Sequence, residues 1–160
     1  MFIKAVISAN NEIIELLNSN SGEDFCQSMS KGAGGDISSK IDLLTEEIFI
    51  KHLKRFGNIY SEECGFIDNN KNDDIVIDPL DGSDNFASNL PYFGTSVALK
   101  RDGKYIIGVI VNLSNGEIFV KDKNSFRRAN LNNLKFKIVE KNDYSKLGLF
   151  ERTYCSKGTP

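Results

Sequence analysis

Apolar residues recur at helical spacing through the first third of the chain. One stripe predicts an amphipathic helix over residues 2 to 18, and a second predicts a helix near residues 39 to 56. Between them, the glycine-rich run 31–35 breaks the pattern and predicts a flexible loop. The stripes consist of Ile3, Val6, Ile7, Ile13, Ile14, Leu16 and Leu17, and then of Ile41, Leu44, Ile48, Phe49, Leu53 and Phe56.

Beyond the second helix, the pattern changes to strand-like runs separated by turn residues. Asp102-Gly103 indicates a β-hairpin, and Asn115-Gly116 adds a third strand to an antiparallel meander. The predicted strands are 75–78, 92–100, 105–112 and 117–121. Two helices followed by strands predict an α+β fold, in which the helices pack on one face of a mainly antiparallel sheet.

Composition excludes several classes of protein. With 160 residues, 40% of them hydrophobic, the chain is expected to form one domain with a core. A net charge of −2 with scattered Lys and Arg does not favour a nucleic-acid partner. We expect no membrane partner either, because no stretch approaches the ~20 apolar residues of a membrane span. Three widely spaced cysteines, Cys26, Cys64 and Cys155, indicate neither a zinc site nor a disulfide framework, and a cytoplasmic protein is expected.

The most informative segment is Asp78-Pro79-Leu80-Asp81-Gly82-Ser83-Asp84-Asn85-Phe86, directly after the apolar run 75–77. A strand that ends in such a turn can deliver Asp78 and Asp81 side by side at a sheet edge, with the Leu80 carbonyl pointing the same way. Carboxylate and carbonyl oxygens are the ligands that Mg²⁺ prefers. Two such ions can activate a water and stabilise a leaving oxygen in phosphoryl transfer.

Two plainer interpretations compete with a metal site. Clusters of Asp, Gly, Ser and Asn after a strand are usually ordinary turns. A calcium loop is disfavoured, because Asp-x-Asp-x-Asp-Gly spacing and a Glu at the required distance are both absent. The metal site becomes the better interpretation because two further segments stand upstream, Ser61-Glu62-Glu63-Cys64-Gly65 and Asp36-Ile37-Ser38-Ser39-Lys40-Ile41-Asp42.

In this order and spacing, the three segments resemble the inositol monophosphatase family of Mg²⁺-dependent, Li⁺-sensitive phosphatases. The family pattern is Asp-Pro-(Ile/Leu)-Asp-Gly-(Thr/Ser)-x-Asn-Phe, preceded by Gly-Glu-Glu and by Asp-x-Val-Thr-x-x-Asp. Here Ser61 replaces the Gly and Ser38-Ser39 replaces Val-Thr, and neither change removes a carboxylate. The segment 90–99 also resembles the family's next strand. The resemblance implies the layered fold that this family shares with fructose-1,6-bisphosphatases and 3′-phosphoadenosine 5′-phosphatases.

The resemblance implies two or three Mg²⁺ ions and a ligand for each of the first two. Asp78 is expected to bridge two ions. Glu62 and the Leu80 carbonyl are expected to complete the first site, and Asp81 to bind the second. A carboxylate bridges two cations readily, because its two oxygens carry separate lone pairs.

The resemblance also implies catalytic roles for Asp42, Ser83 and Glu62. The Ser83 hydroxyl is expected to orient the attacking water, and Asp42 to accept its proton or to hold a weak third ion. The amides of Gly82 and Ser83 are expected to meet the substrate phosphate if they open a helix, since a helix N-terminus favours anions.

Lys31 and Asp36 match the mobile loop that covers the active site in the family. The reaction implied is hydrolysis of a phosphate monoester, without a covalent phosphoenzyme. The expected substrate is a small phosphorylated molecule, with inositol monophosphate preferred over fructose bisphosphate because of the segment 90–94. A homodimer is what the family suggests.

The family's second half is not found in this sequence, which has no Trp-Asp-x-Ala motif and no Trp. We therefore expect residues 1–160 to be the N-terminal metal-binding domain of an inositol monophosphatase-like protein, without its C-terminal domain. A short relative that completes its sheet by dimerising is the less favoured explanation. A second class of function follows from this gap, namely a non-catalytic metal-binding or dimerisation module.

Several polar residues receive plainer interpretations. His52, the only histidine, is expected at the surface or a boundary without a catalytic role. Cys64 is interpreted as a small packing residue, and Arg127-Arg128 as an exposed strand end. Glu63 is either a second group behind the metal ligands or simply solvated. Asp84 occupies the variable position of the motif and receives no metal.

Overall fold

The computed structural model describes residues 1–19, 28–31 and 37–140, with the backbone alone for 28–31 and 37–39. Three helices and ten strands lie in these ranges. The helices are α1 (Phe2–Ser19), α2 (Lys40–Leu53) and α3 (Ser83–Ala87). The strands are β1 (Ser28–Lys31), β2 (Ile37–Ser39), β3 (Asn58–Ser61), β4 (Gly65–Ile67), β5 (Asp74–Asp81), β6 (Gly94–Arg101), β7 (Lys104–Asn112), β8 (Glu117–Asp122), β9 (Phe126–Asn130) and β10 (Asn133–Ile138).

Eight of the strands form one sheet in the order β10-β9-β8-β7-β6-β5-β3-β4. From β5 to β10 each strand pairs antiparallel with the next, while β3 pairs parallel with β5. The other two strands, β1 and β2, form a separate antiparallel pair. The predicted α+β fold with a mainly antiparallel sheet is therefore confirmed.

The strands alternate between a buried and an exposed face. The inner face packs under α1 and α2, which also contact each other. Its fully buried side chains are Ile59, Ile75, Val97, Val109, Val111, Ile118 and Val120. The outer face carries large apolar side chains that are 36–58% exposed, namely Tyr60, Phe66, Val76, Ile110 and Phe126. Period-two alternation of this kind places one set of side chains in the core and leaves the other set on the surface.

Helix α1 matches its predicted stripe and adds a polar core residue. Asn10 is fully buried in the middle of that stripe. Its amide donates to the Val6 carbonyl at 2.9 Å, and the Thr95 hydroxyl on β6 donates to its Oδ1 at 2.8 Å. A buried amide is costly unless its donors and acceptors are paired, so this bond fixes α1 on the sheet.

Several predicted boundaries are wrong. Helix α2 begins at Lys40 and ends at Leu53, because Ser39 pairs in β2 and the chain turns after the helix. Lys31 was predicted to open a flexible loop, but it is the last residue of β1 and pairs with Ile37. The predicted three-stranded meander continues through β9 and β10, so Arg127 and Arg128 lie within a strand rather than at a strand end. Across the described residues, no helix is both long and apolar enough to span a membrane.

Candidate metal centre

Parallel pairing of β3 with β5 brings the first two predicted ligands together. Ser61 is the register partner of Ile77. Since parallel strands run in the same direction, the next residues, Glu62 and Asp78, emerge side by side at the same edge. Glu62 lies close enough for its charge to raise the pKa of the Asp78 carboxyl group.

A break in the next ladder brings in Asp81. Asp78 pairs with Ser96 on β6, but the register then shifts before Asp81 pairs with Gly94. Pro79 lies in this irregular stretch and has no N–H to donate to a ladder, which favours a bulge. The bulge re-aims the strand, and the Asp81 carboxylate acts electrostatically on Asp78. Glu62, Asp78 and Asp81 thus lie at one sheet edge, although their side chains do not surround a common point in the described structure.

The glycine of the motif is required by both its conformation and its surroundings. Gly82 has φ 82°, in the left-handed region, and precedes α3. A Cβ at this position would lie 2.9 Å from the Tyr92 carbonyl oxygen. That same oxygen accepts a hydrogen bond of 2.7 Å from the Asn85 side chain. Gly82 and Asn85 therefore brace α3 against the chain that follows it.

Crowding of the carboxylates changes the proton affinity of Asp78. Burial, then the charges of Glu62 and Asp81, raise the pKa of Asp78 from 3.8 to about 7. The Leu80 backbone N–H opposes this shift by donating to the carboxylate. A carboxyl group with a pKa near neutrality is only partly ionised at pH 7, and a nearby cation favours its ionised form.

The chemistry of this cluster suits a hard cation. No Lys, Arg or His in the described part of the chain pairs with Glu62, Asp78 or Asp81. Their negative charge therefore has to be balanced by a proton or by a cation from outside. Over the same residues, no three His, Cys, Asp or Glu side chains are already gathered around a common point. This open arrangement suits Mg²⁺, which binds through one or two carboxylates and keeps waters or phosphate oxygens as its other ligands.

The remaining predicted residues lie on several different elements. Asp42 is 4% exposed in the first turn of α2, and this helix packs against β5, the strand of Asp78. Ser83 is the half-buried first residue of α3. Leu80 is buried in β5. Lys31 lies at the end of β1, and Asp36 falls outside the described residues.

A pocket of about 240 Å³ opens beside Asp81 on the outer face. Ile110 and Phe119 contribute apolar surface to its lining, and Asp81, Asn85 and Asn112 contribute polar groups. The lining comprises Asp81, Gly82, Asn85, Tyr92, Phe93, Gly94, Ile110, Val111, Asn112 and Phe119. The carboxylate cluster therefore has space next to it for a small molecule, and the motif supplies one wall of that space.

Sequence reasoning missed a buried acid behind the cluster. Glu46 on α2 is 4% exposed, and its Oε1 accepts the backbone N–H of Cys64 at 3.0 Å. The signal was available, because Glu46 lies one helical turn after Asp42 and so shares its face.

Cys64 itself is exposed, so its interpretation as a packing residue is wrong. Its pKa is raised to about 11, by burial of the sulfur and then by the hydrogen bond to Glu46. His52 is a half-buried boundary residue, as predicted, and contacts Glu12 at 2.8 Å.

Comparison with known proteins tests the family resemblance that the three sequence segments carry. The sequence model described as the inositol monophosphatase family matches residues 1–158. The chain belongs to this family. A fructose-1,6-bisphosphatase/inositol-1-monophosphatase of Methanocaldococcus jannaschii is 33% identical over 109 residues, which are 68% of this chain and 42% of that protein. The Nus factor SuhB of Pasteurella multocida is 32% identical over 113 residues, covering 68% of this chain and 41% of that protein.

A solved structure is also similar to this chain over part of its length. An inositol monophosphatase–fructose 1,6-bisphosphatase superposes with a TM-score of 0.73 at 27% identity, over 80% of this inositol monophosphatase-family chain and 52% of the other. The chain thus spans about half the length of the proteins that it matches. The family assignment from the three segments is confirmed.

Proposed function

We propose that this chain carries the metal-binding part of a Mg²⁺-dependent phosphate monoester hydrolase. The substrate is inositol monophosphate or a related sugar or nucleotide phosphate, and two or three ions are bound. One observation carries the proposal: Glu62 and Asp81 act electrostatically on Asp78, Asp81 lines a pocket, and no protein cation in the described structure pairs with the three carboxylates. Family membership supports the reaction class.

In this proposal each carboxylate has a distinct task. Asp78, Glu62 and the Leu80 carbonyl would hold one ion, and Asp81 would hold another. When bound there, Mg²⁺ would lower the pKa of a water molecule and would stabilise the negative charge of the phosphate oxygens. Loss of its proton prepares Asp78 as a ligand, because the pKa of this carboxyl group is raised to about 7.

The remaining residues act on the water and the phosphate. Asp42 accepts a proton from the attacking water, which the Ser83 hydroxyl orients. The amides of Gly82 and Ser83 donate to the phosphate, because the first N–H groups of a helix have no partner within it. The small pocket beside Asp81 then receives the group from which the phosphate is cleaved.

Phosphate release from inositol 1-phosphate tests this proposal. Release should depend on Mg²⁺ and should be lost in Asp81→Asn, which keeps the shape of the side chain but removes its charge. Asp84→Asn is the matched control, because Asp84 is exposed on α3 and has no assigned ligand role. The proposal fails if folded protein, checked by circular dichroism, releases no phosphate, or if both variants behave alike.

The outer face favours a second candidate, a non-catalytic metal-binding or dimerisation module. Five large apolar side chains are 36–58% exposed there, namely Tyr60, Phe66, Val76, Ile110 and Phe126. Contiguous exposed apolar surface marks an interaction site more often than chance. Sedimentation equilibrium separates the two candidates when it is combined with the phosphatase assay. A dimer without activity supports the module, and an active monomer refutes it.

A further inference from the structure

The turn that presents Glu62 is short and faces solvent. Residues 62–64 connect β3 to β4, and the pair Ser61–Gly65 closes the turn. Gly65 has φ 78°, which a three-residue hairpin loop commonly requires at its end. The Glu62 side chain itself is exposed. An exposed carboxylate on a short turn keeps its direction only if the turn is anchored elsewhere.

Glu46 provides such an anchor from the helix behind the turn. Its Oε1 accepts the backbone N–H of Cys64 at 3.0 Å, across 18 residues of sequence. Hydrogen bonds to a carboxylate are roughly twice as strong as neutral ones. By contrast, the buried hydroxyl of Ser61, on the other side of Glu62, has no partner in the described structure.

The burial of Glu46 calls for an explanation. The residue is 4% exposed, and no Lys, Arg or His in the described ranges pairs with it. Taking a carboxylate out of water is costly unless strong hydrogen bonds compensate it. An apolar residue here would simply extend the buried stripe of α2, which already contains Ile41, Phe49 and Leu53. The buried polar side chain is therefore better explained by the turn that it holds than by the stability of the core.

We propose that Glu46 is a positioning residue of the metal centre. It fixes the 62–64 turn through the Cys64 amide, so that the Glu62 carboxylate stays beside Asp78. Glu46 does not touch metal or substrate in this role. The inference rests on the proposed function, because it assigns Glu46 a purpose in holding a metal ligand.

Three variants of the full chain test this role. Glu46→Leu removes the acceptor but keeps the approximate volume, and Glu46→Gln keeps an oxygen that can accept the Cys64 N–H. Glu47→Leu is the matched control, since it makes the same change at the exposed neighbouring position of α2. Mg²⁺ affinity is measured by calorimetry, and the Cys64 amide proton is followed by NMR without metal. Because Cys64 is exposed, water can replace the lost acceptor and the fold should survive.

Glu46→Leu should weaken Mg²⁺ binding by about 10- to 100-fold, the usual effect of losing a group that orients a metal ligand. Its Cys64 amide should move upfield and exchange faster. Glu46→Gln should restore both properties, and Glu47→Leu should change neither. A merely structural role would lower the melting temperature of Glu46→Leu while leaving its Mg²⁺ affinity intact, and that result would overturn the inference.

The failure of the proposed function has a different signature. In that case the unaltered chain would bind no Mg²⁺, and the positioning role of Glu46 would be refuted as well. If the unaltered chain binds Mg²⁺ and Glu46→Leu binds it equally well, only the positioning role is refuted.

Discussion

Replacing Asp78 by Asn should stabilise the metal-free chain at pH 8. Burial and the neighbouring acids raise the pKa of Asp78 from 3.8 to about 7. A folded-state pKa above the unfolded value means that stability is complete below about pH 4 and falls as pH rises towards 7. Above that pH, the folded chain carries the full penalty of an ionised Asp78, and Asp78→Asn removes it.

The size of the effect follows from the shift. A difference of about three pKa units corresponds to about 4 kcal/mol, because one unit is worth about 1.4 kcal/mol. Asp78 is only half-buried, so solvent screens its neighbours and a gain of about 1–2 kcal/mol is the better expectation. The gain should shrink at pH 5, where the unaltered carboxyl group is still protonated in the folded chain.

Urea unfolding at pH 5 and pH 8, in EDTA and in Mg²⁺, measures how the stability depends on pH and on the metal. Mg²⁺ should stabilise the unaltered chain at pH 8, since a ligand that binds only the folded state raises its stability. Asp78→Asn should lose this response, and Asp84→Asn should keep it. The reasoning is refuted if Asp78→Asn destabilises the metal-free chain at pH 8, or if its gain is the same at both pH values.

Three further predictions concern residues around the centre. Gly82→Ala should cost more stability than Gly103→Ala, because both have positive φ but only the first Cβ meets a backbone oxygen at 2.9 Å; equal losses in thermal unfolding would contradict this. Thr95→Val should lower the free energy of unfolding by about 1–3 kcal/mol, because it leaves the buried side-chain oxygen Oδ1 of Asn10 without its donor; urea unfolding measures this. Cys64 should react slowly with iodoacetamide at pH 7.5, because its pKa is raised to about 11, and peptide mass spectrometry would reveal fast labelling if that is wrong.

Short-range patterns made much of the fold predictable. Helical periodicity identified α1 and α2, and Asp102-Gly103 and Asn115-Gly116 located the turns that flank β7. The parallel pairing of β3 with β5 was missed, because no local turn signal connects two strands that are separated by a third. That pairing is what places Glu62 beside Asp78, so the sequence could name these candidate ligands but could not explain how they come together.

Buried polar residues were the main omission. Asn10 lies at helical spacing within an apolar stripe, and Glu46 lies one turn after a predicted site residue. Both positions conflict with a simple division into buried apolar and exposed polar residues. Their partners, Thr95 and the Cys64 amide, are distant in sequence, so only the folded structure shows why a polar side chain is tolerated at each place.

The bond between Asn10 and Thr95 also constrains the order in which the chain can assemble. These residues are 85 positions apart, yet the bond joins the first helix to a strand in the middle of the sheet. The hairpins of β6, β7 and β8 close over short distances and form early, whereas a contact of such long range forms late. During synthesis, α1 leaves the ribosome many seconds before its partner strand, at about 5–20 residues per second. Helix α1 therefore waits, with the sheet-facing part of its apolar stripe uncovered, for the strands on which it docks.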